Sequence, residues 1–298
     1  MNVWIFYGIL VAVSLLISAV GFHEFVWFLS VGYGLAVSGI GVANLVIGFV
    51  TGAFIDNGIT GIVLALQCLV MVIYGFRLGG FLLIRELKNA AYKKTLESTG
   101  STNKVPIFVS ICIWIPCAIL YVGETAGVSF KLGNAIVYEQ GMGSPVLPII
   151  GLCLMILGAG LEALADKQKS AQKKEDPKMV ATKGLYKFVR CPNYFGEVTF
   201  WTGVFVSGLN TYCNGTTWIT AIICYISIVY IMFNGCQRLD KRQTLRLGGD
   251  ARFEEYATKT PILIPFIPWY YHADLKELQK QAKIDAAKKL AKEQEAAK

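Results

Sequence analysis

The stretch GLYKFVRCPNYFGEVTFWTG, residues 184–203, sets Arg190, Asn193, Tyr194 and Glu197 against the start of an apolar run. Gly184 precedes a short basic segment, and Pro192 predicts a break in the chain before a helix that begins near Asn193. Asn193 suits the cap of that helix, and its amide can instead donate to a carboxamide or a phosphate. Arg190 lies just ahead of the helix N-terminus, where its guanidinium and the free backbone N–H groups both favour an anion. Glu197, four residues after Asn193, shares its face. An unpaired carboxylate at the mouth of a membrane is costly or takes up a proton. By residue type and spacing, the group describes a site for an anionic, hydrogen-bonding ligand.

Two further stretches carry chemistry. In MVIYGFRLGGFLLIRELKNAAYKK, residues 71–94, Arg77 stands about half-way into an apolar segment with Tyr74 three residues earlier, so both side chains can share one helical face. Arg77 either turns to a polar cavity or snorkels to the interface. In GAGLEALADKQKSAQKK, residues 158–174, Glu162, Asp166, Lys169 and Lys173 follow at spacings of four, three and four. The spacing favours a solvated face laced by i,i+4 pairs. The alternative has Lys169 and Lys173 holding phosphates while Asp166 orders an arginine or accepts from a ribose hydroxyl.

The elements that must position these residues are membrane helices. Of the 298 residues, 54% are hydrophobic and 16% charged, against about 25% charged in a soluble globule. Apolar runs at 3–22, 26–50, 59–84, 105–123, 145–164, 194–209 and 217–234 mostly approach the roughly 20 residues needed to cross a bilayer. The expectation is an all-α, polytopic transmembrane helical bundle of six or seven spans, with the short run at 194–209 extending into its flanks or lying at the interface. The first run lacks a basic lead and a cleavage site, and reads as a retained helix.

Charge placement orients the spans. Residues 1–76 hold no Lys or Arg, whereas 85–104 hold five, 165–193 hold eight and the chain from 235 onward holds thirteen. Basic loops mark the cytosolic side, which puts these segments in the cytosol and 51–58, 124–144 and 210–216 on the far side. The formal charge of +8 then reflects topology and anionic lipid contact, with no nucleic-acid partner implied. Oligomeric state is not legible.

Other signals are weak. The eight cysteines are scattered and form no disulfide framework, and two histidines without a CxxC pair support no metal site. The GxG of SGIGVANLVIG follows no strand and is no dinucleotide turn. Gly48–Gly52 and Gly75–Gly79 are spaced for close helix approach. Asn214-Gly215-Thr216 fits a glycosylation acceptor pattern, in a loop too short to favour modification. Residues 269–298, rich in Ala, Lys, Glu and Gln, read as a charged helical tail behind a membrane domain at 1–268.

The opening stretch also resembles the signature of the DUF1295 membrane proteins, which group with the steroid 5-alpha reductase C-terminal superfamily. The family form has a Gly-Leu-Trp/Tyr start, a basic run, His-Pro-Asn-Tyr-Phe-Gly-Glu and a Trp-Gly pair. The likeness takes in Tyr74-Gly75-x-Arg77-Leu78-Gly79, Arg85, Ala165-Asp166-x-Gln168-Lys169, Leu239-Asp240-Lys241, Phe253-x-x-Tyr256 and Thr260-Pro261-x-Leu263-Ile264-Pro265, about residues 60 to 268. Cys191 replaces the usual histidine, and Asp240 stands where glutamate is common.

The resemblance implies an NADPH-dependent reductase of a carbon–carbon double bond in a lipid or steroid-like enone. Its substrate is a hydrophobic small molecule that enters from the bilayer, and a eukaryotic member resides in the endoplasmic reticulum membrane. Carried over by position, Asp166, Lys169, Arg190, Asn193, Tyr194 and Glu197 are cofactor-side residues, joined by Arg238 and Asp240 near the end of the last span. An acid that polarises the carbonyl is sought among Tyr74, Glu24 and Tyr33. The related S-adenosylmethionine-dependent membrane methyltransferases share an Arg-His-Pro-x-Tyr segment and form one alternative. A non-catalytic membrane scaffold or lipid-binding protein forms the other.

Overall fold

The computed structural model describes residues 1–88, 105–267, 273–281 and 284. Its helices are α1 (Val3–Ser18), α2 (Val31–Val50), α3 (Ala53–Asp56), α4 (Gly58–Lys88), α5 (Ile107–Glu124), α6 (Ala126–Val137), α7 (Val146–Glu175), α8 (Pro192–Ser207), α9 (Gly215–Leu247) and α10 (Ala251–Lys259). Single 3-10 turns occupy Ala19–Phe22, Phe25–Phe28 and Gly184–Lys187. Among the described residues six helical segments are long and apolar enough to cross a membrane: Val3–Phe22, Phe25–Val50, Gly58–Leu87, Ile107–Glu124, Val146–Glu175 and Gly215–Leu247. The protein is therefore an all-α, multi-pass integral membrane protein. The expected run at 194–209 is α8, whose 16 residues rise about 24 Å, shorter than the other six; it runs along α7 from Gly158 and Glu162, where Gly196 packs, to Gly151, where Gly203 packs. Most of the basic segment 85–104 and most of the tail 269–298 lie outside the described residues.

The chain divides into two compact units, Met1–Leu157 with Thr199–Ile228, and Gly158–Val198 with Val229–Lys298. In the first, α2 and α4 touch backbone to backbone. A Cβ on Gly75 would lie 2.3 Å from the Gly34 carbonyl oxygen and 2.6 Å from the Ser38 nitrogen, and one on Gly34 would lie 2.6 Å from the Gly79 nitrogen. The Gly75–Gly79 spacing thus does what small residues do between helices in lipid. The Gly48–Gly52 pair does something else: Gly48 lies under the Phe54 ring, and Gly52 takes φ +74° to turn the chain into α3.

Buried polar side chains tie the unit together where lipid offers no hydrogen bonds. The Gln67 amide donates to the Pro148 carbonyl at 2.8 Å and accepts from the Ser207 hydroxyl at 2.9 Å, linking α4, α7 and α8. Ser14 donates to the Ala118 carbonyl at 2.9 Å. Lys131 of α6, 2% exposed, donates to Asn210 at 2.6 Å and to the Met142 carbonyl at 3.4 Å. Both acceptors are neutral. Burial pulls the Lys131 ammonium down to about 8, opposed weakly by Cys213.

Two outcomes follow from this packing. Gly75→Val should lower the thermal midpoint in detergent and broaden the size-exclusion peak, because overpacking here must push the two backbones apart and cost about 1–3 kcal/mol or more. Gly80→Val, where a Cβ meets nothing within 4 Å, should match wild type. Lys131 imposes a pH dependence of definite sign. Below about pH 8 both states carry the proton; between about 8 and 10.5 only the unfolded state does, so stability rises with pH across that window. The wild type should gain more stability, or lose less, across that window than Lys131→Met does, the difference between the two curves reporting Lys131.

Candidate functional site

The second unit holds all eight residues expected on the cofactor side, and among its described residues five charged side chains are buried: Glu162, Asp166, Arg190, Glu197 and Asp240. At its centre Arg190 Nη1 forms an ion pair with Asp240 Oδ1, with both side chains almost fully enclosed at 3% and 1% exposure. The other oxygen of Asp240 accepts the backbone N–H of Ala273 at 2.9 Å. Arg190 and Cys191 in turn donate their backbone N–H groups to the carbonyls of Pro261 and Ile262, at 2.8 and 3.0 Å. The Thr260–Pro265 stretch is the strip of backbone against which the Arg190–Cys191 segment is laid.

Glycines set the remaining contacts. Gly184, at φ +70°, lies so close to Gln168 that a Cβ would meet its Oε1 at 2.4 Å, and the same oxygen accepts the Leu185 N–H at 2.9 Å. Gly196 brings the first turns of α8 onto α7, where a Cβ would meet the Gly158 oxygen and the Glu162 nitrogen, each at 2.7 Å. Helix α8 starts at Pro192, a residue suited to the first helical position. Asn193 therefore stands in the first turn, half-buried, and is not the cap that the sequence suggests. Tyr194 packs over Gly235 and the cluster of Cys191, Cys236, Ile262 and Leu263.

The stripe on α7 also differs from its expected solvated face. Glu162 and Asp166 are buried, Lys169 is half-buried, and the Lys173 ammonium donates to the carbonyls of Pro177 and Met179, closing a loop. Lys169 and Arg190 both bear on Cys191. Its thiol is held below the ordinary value, first by a hydrogen bond with Cys236, against the cost of burial, and then by these two cations. Arg238 is exposed on α9, turned away from the face on which Cys236 and Asp240 are buried. A surface groove of about 500 Å³ lined by Gln172, Lys183, Arg252, Tyr256 and Lys259 completes the unit. Its cations are paired, Lys183 with Glu175 at 3.5 Å and Lys259 with Glu255 at 2.8 Å.

The first unit contains a packed cluster of buried aromatic side chains. Tyr74 is stacked on Phe200 with ring centroids 3.9 Å apart, and the Trp201 indole N–H donates to the Tyr33 hydroxyl at 2.7 Å. Tyr33 faces the Tyr121 ring at 5.3 Å, and the Tyr121 hydroxyl donates to the Phe28 carbonyl. Arg77 lies over Tyr74 at 6.0 Å, on the shared face its spacing suggests. Glu124, 6% exposed, lines a cavity of about 10 Å³ with Trp201, Phe205, Tyr212 and Tyr225, room for one water.

Glu24 belongs to another group, at the turn before Phe25–Phe28 and within electrostatic reach of Glu86, which accepts from Trp27 and Ser30. Glu86, Glu124 and Cys236 are the functional-type residues that sequence reasoning missed. An acid in or at the end of an apolar run is the signal for the first two; Cys236 carried none.

The family described as "Protein of unknown function (DUF1295)" matches residues 25–260. The chain belongs to this family. The DUF1295 match reaches further upstream than the likeness read over 60–268: it takes in Tyr33 and stops one residue short of Glu24. Both halves of the Tyr33–Trp201 contact and the whole Arg190–Asp240 pair thus lie inside the DUF1295 region. No curated protein and no solved structure matches the chain.

The enclosure of Arg190 changes what its removal tests. Arg190→Ala strands the Asp240 carboxylate in a dry interior, a loss of about 3–5 kcal/mol when one partner of a buried pair goes. The single variant should unfold at lower temperature in detergent, and Arg190→Met with Asp240→Leu should recover much of the loss. Equal midpoints for the single variant and the wild type would show that the pair is not the anchor of this unit.

Proposed function

We propose that the protein is an NADPH-dependent reductase of the carbon–carbon double bond of a lipid or steroid-like enone. The observation that carries this reading is the oriented phenol in the aromatic cluster, the Tyr33 hydroxyl accepting at 2.7 Å from Trp201, whose ring also contacts Tyr74 and Phe200. A hydroxyl that accepts one hydrogen bond becomes a stronger donor in its turn. Such a donor in apolar surroundings stabilises the oxygen of an enone most as enolate charge develops on it. The resemblance of the signature stretch to the steroid 5-alpha reductase superfamily supports the same chemistry.

The residues of the second unit fit the cofactor in kind. Lys169, half-buried beside Cys191, would favour its phosphates. Asp166, Glu162 and Glu197 offer acceptors for ribose hydroxyls and carboxamide N–H groups, and the Asn193 amide offers both donor and acceptor. When bound, NADPH supplies a hydride. Arg190 acts here through the segment it anchors, since its guanidinium is already engaged by Asp240. In this reading the basic segments face the cytosol and the hydrophobic substrate arrives from the bilayer.

Purified protein in detergent should change NADPH fluorescence on binding and oxidise NADPH with a lipid enone. Tyr33→Phe and Tyr74→Phe should each cut kcat by about 10²–10³, the loss seen when one oxyanion donor is removed, with NADPH affinity unchanged. Absence of NADPH binding in the wild type overturns the reading. Binding of S-adenosylmethionine in its place directs attention to methyl transfer.

A further inference from the structure

We infer that the exposed basic face at the end of α9 is a binding site for the phosphate headgroups of anionic phospholipids. Helix α9 has 33 residues, a length of about 50 Å, whereas the hydrocarbon core of a bilayer spans about 30 Å. One face of the helix is apolar and outward: Ile219, Ile223, Ile226 and Tyr230 are 59%, 57%, 58% and 68% exposed. From Ile219 to Arg238 the rise is about 28 Å, one hydrocarbon thickness. The outward residues change character at that level, to Arg238, Lys241, Arg242 and Arg246, with Leu245 among them at 49% exposure.

No acid offsets these four cations on the helix. Asp240 is the one carboxylate in Gly215–Leu247, and it is turned inward to Arg190 and the Ala273 N–H. A cluster of Lys and Arg emerging from the apolar stripe meets the phosphate layer at close range, where each cation contributes to attraction for an anionic headgroup. The mixed Arg–Lys set suits phosphate, since arginine forks across two oxygens and lysine supplies a compact charge. Arg238, which the resemblance would place beside the cofactor, is assigned here to lipid. Because the opposite face of the same helix segment carries Asp240, a bound lipid would hold α9 at the depth at which that pair is formed. The inference stands on exposure and spacing and does not depend on the reductase reading.

The test compares the full-length protein in nanodiscs of phosphatidylcholine alone and with phosphatidylglycerol. Thermal midpoint and the lipids retained in native mass spectrometry are both read. The wild type should be stabilised by phosphatidylglycerol and retain it preferentially. Arg238→Gln with Lys241→Gln and Arg242→Gln should lose the preference by about a hundredfold, at about fivefold per cation. Arg242→Lys, which keeps the charge, should retain it. If the triple variant does not fold, Lys241→Gln alone should lower retention about fivefold, and added salt should erode the wild-type preference. No preference in the wild type, an unaltered preference in the variants, or equal stabilisation by inorganic phosphate in phosphatidylcholine discs would each overturn the inference.

Discussion

The second unit depends on one carboxylate. Asp240 divides its two oxygens between the Arg190 guanidinium and the N–H of Ala273, and it does so at 2% exposure, where neither charge has water to fall back on. Burial makes such an arrangement weak as a source of net stability but strict in geometry, since any alternative packing must strand a charge. Through Arg190 the constraint passes to Cys191 and from there to Pro192, which opens α8. Through Ala273 it passes to the segment before residues 275–281. The signature residues around Asn193 are in register because a salt bridge fifty residues away in sequence holds their lead-in.

A different logic governs the first unit. Its helices lie among lipid tails as apolar as their own side chains, so burial of hydrocarbon distinguishes little between packed and unpacked states. Contact is decided by glycines that let backbones meet and by a few amides and hydroxyls with no other partner at that depth. Gln67 serves two helices at once. Trp201 and Tyr33 satisfy each other in the same way, and their hydrogen bond also aims a phenol.

Much of this was legible from residue types. Six of the seven apolar runs are helices long and apolar enough to span, the seventh is the shorter α8, and the Gly75–Gly79 spacing and the Tyr74–Arg77 face are as periodicity suggests. What escaped were facts about which way a face turns. Glu162 and Asp166 have the spacing of a solvated stripe, and only the close approach at Gly196 turns them inward. Asn193 looks like a cap until Pro192 takes the first helical position. The bond from Ala273 to Asp240 cannot be inferred from composition, because a segment rich in Ala, Lys and Gln advertises only solubility. Local chemistry shows in a sequence; long-range pairing of polar atoms does not.

Two phenols of the aromatic cluster are each followed directly by a contact glycine, Tyr33 by Gly34 and Tyr74 by Gly75. Side chains elsewhere in a membrane protein yield to a change in lipid thickness or temperature by shifting rotamer, but two backbones in van der Waals contact have no rotamers. The gauge between the phenols is therefore a main-chain dimension, insulated from whatever substitutions the lipid-facing surface accumulates. A pair of phenols set on that gauge can keep its spacing across membranes of very different fluidity.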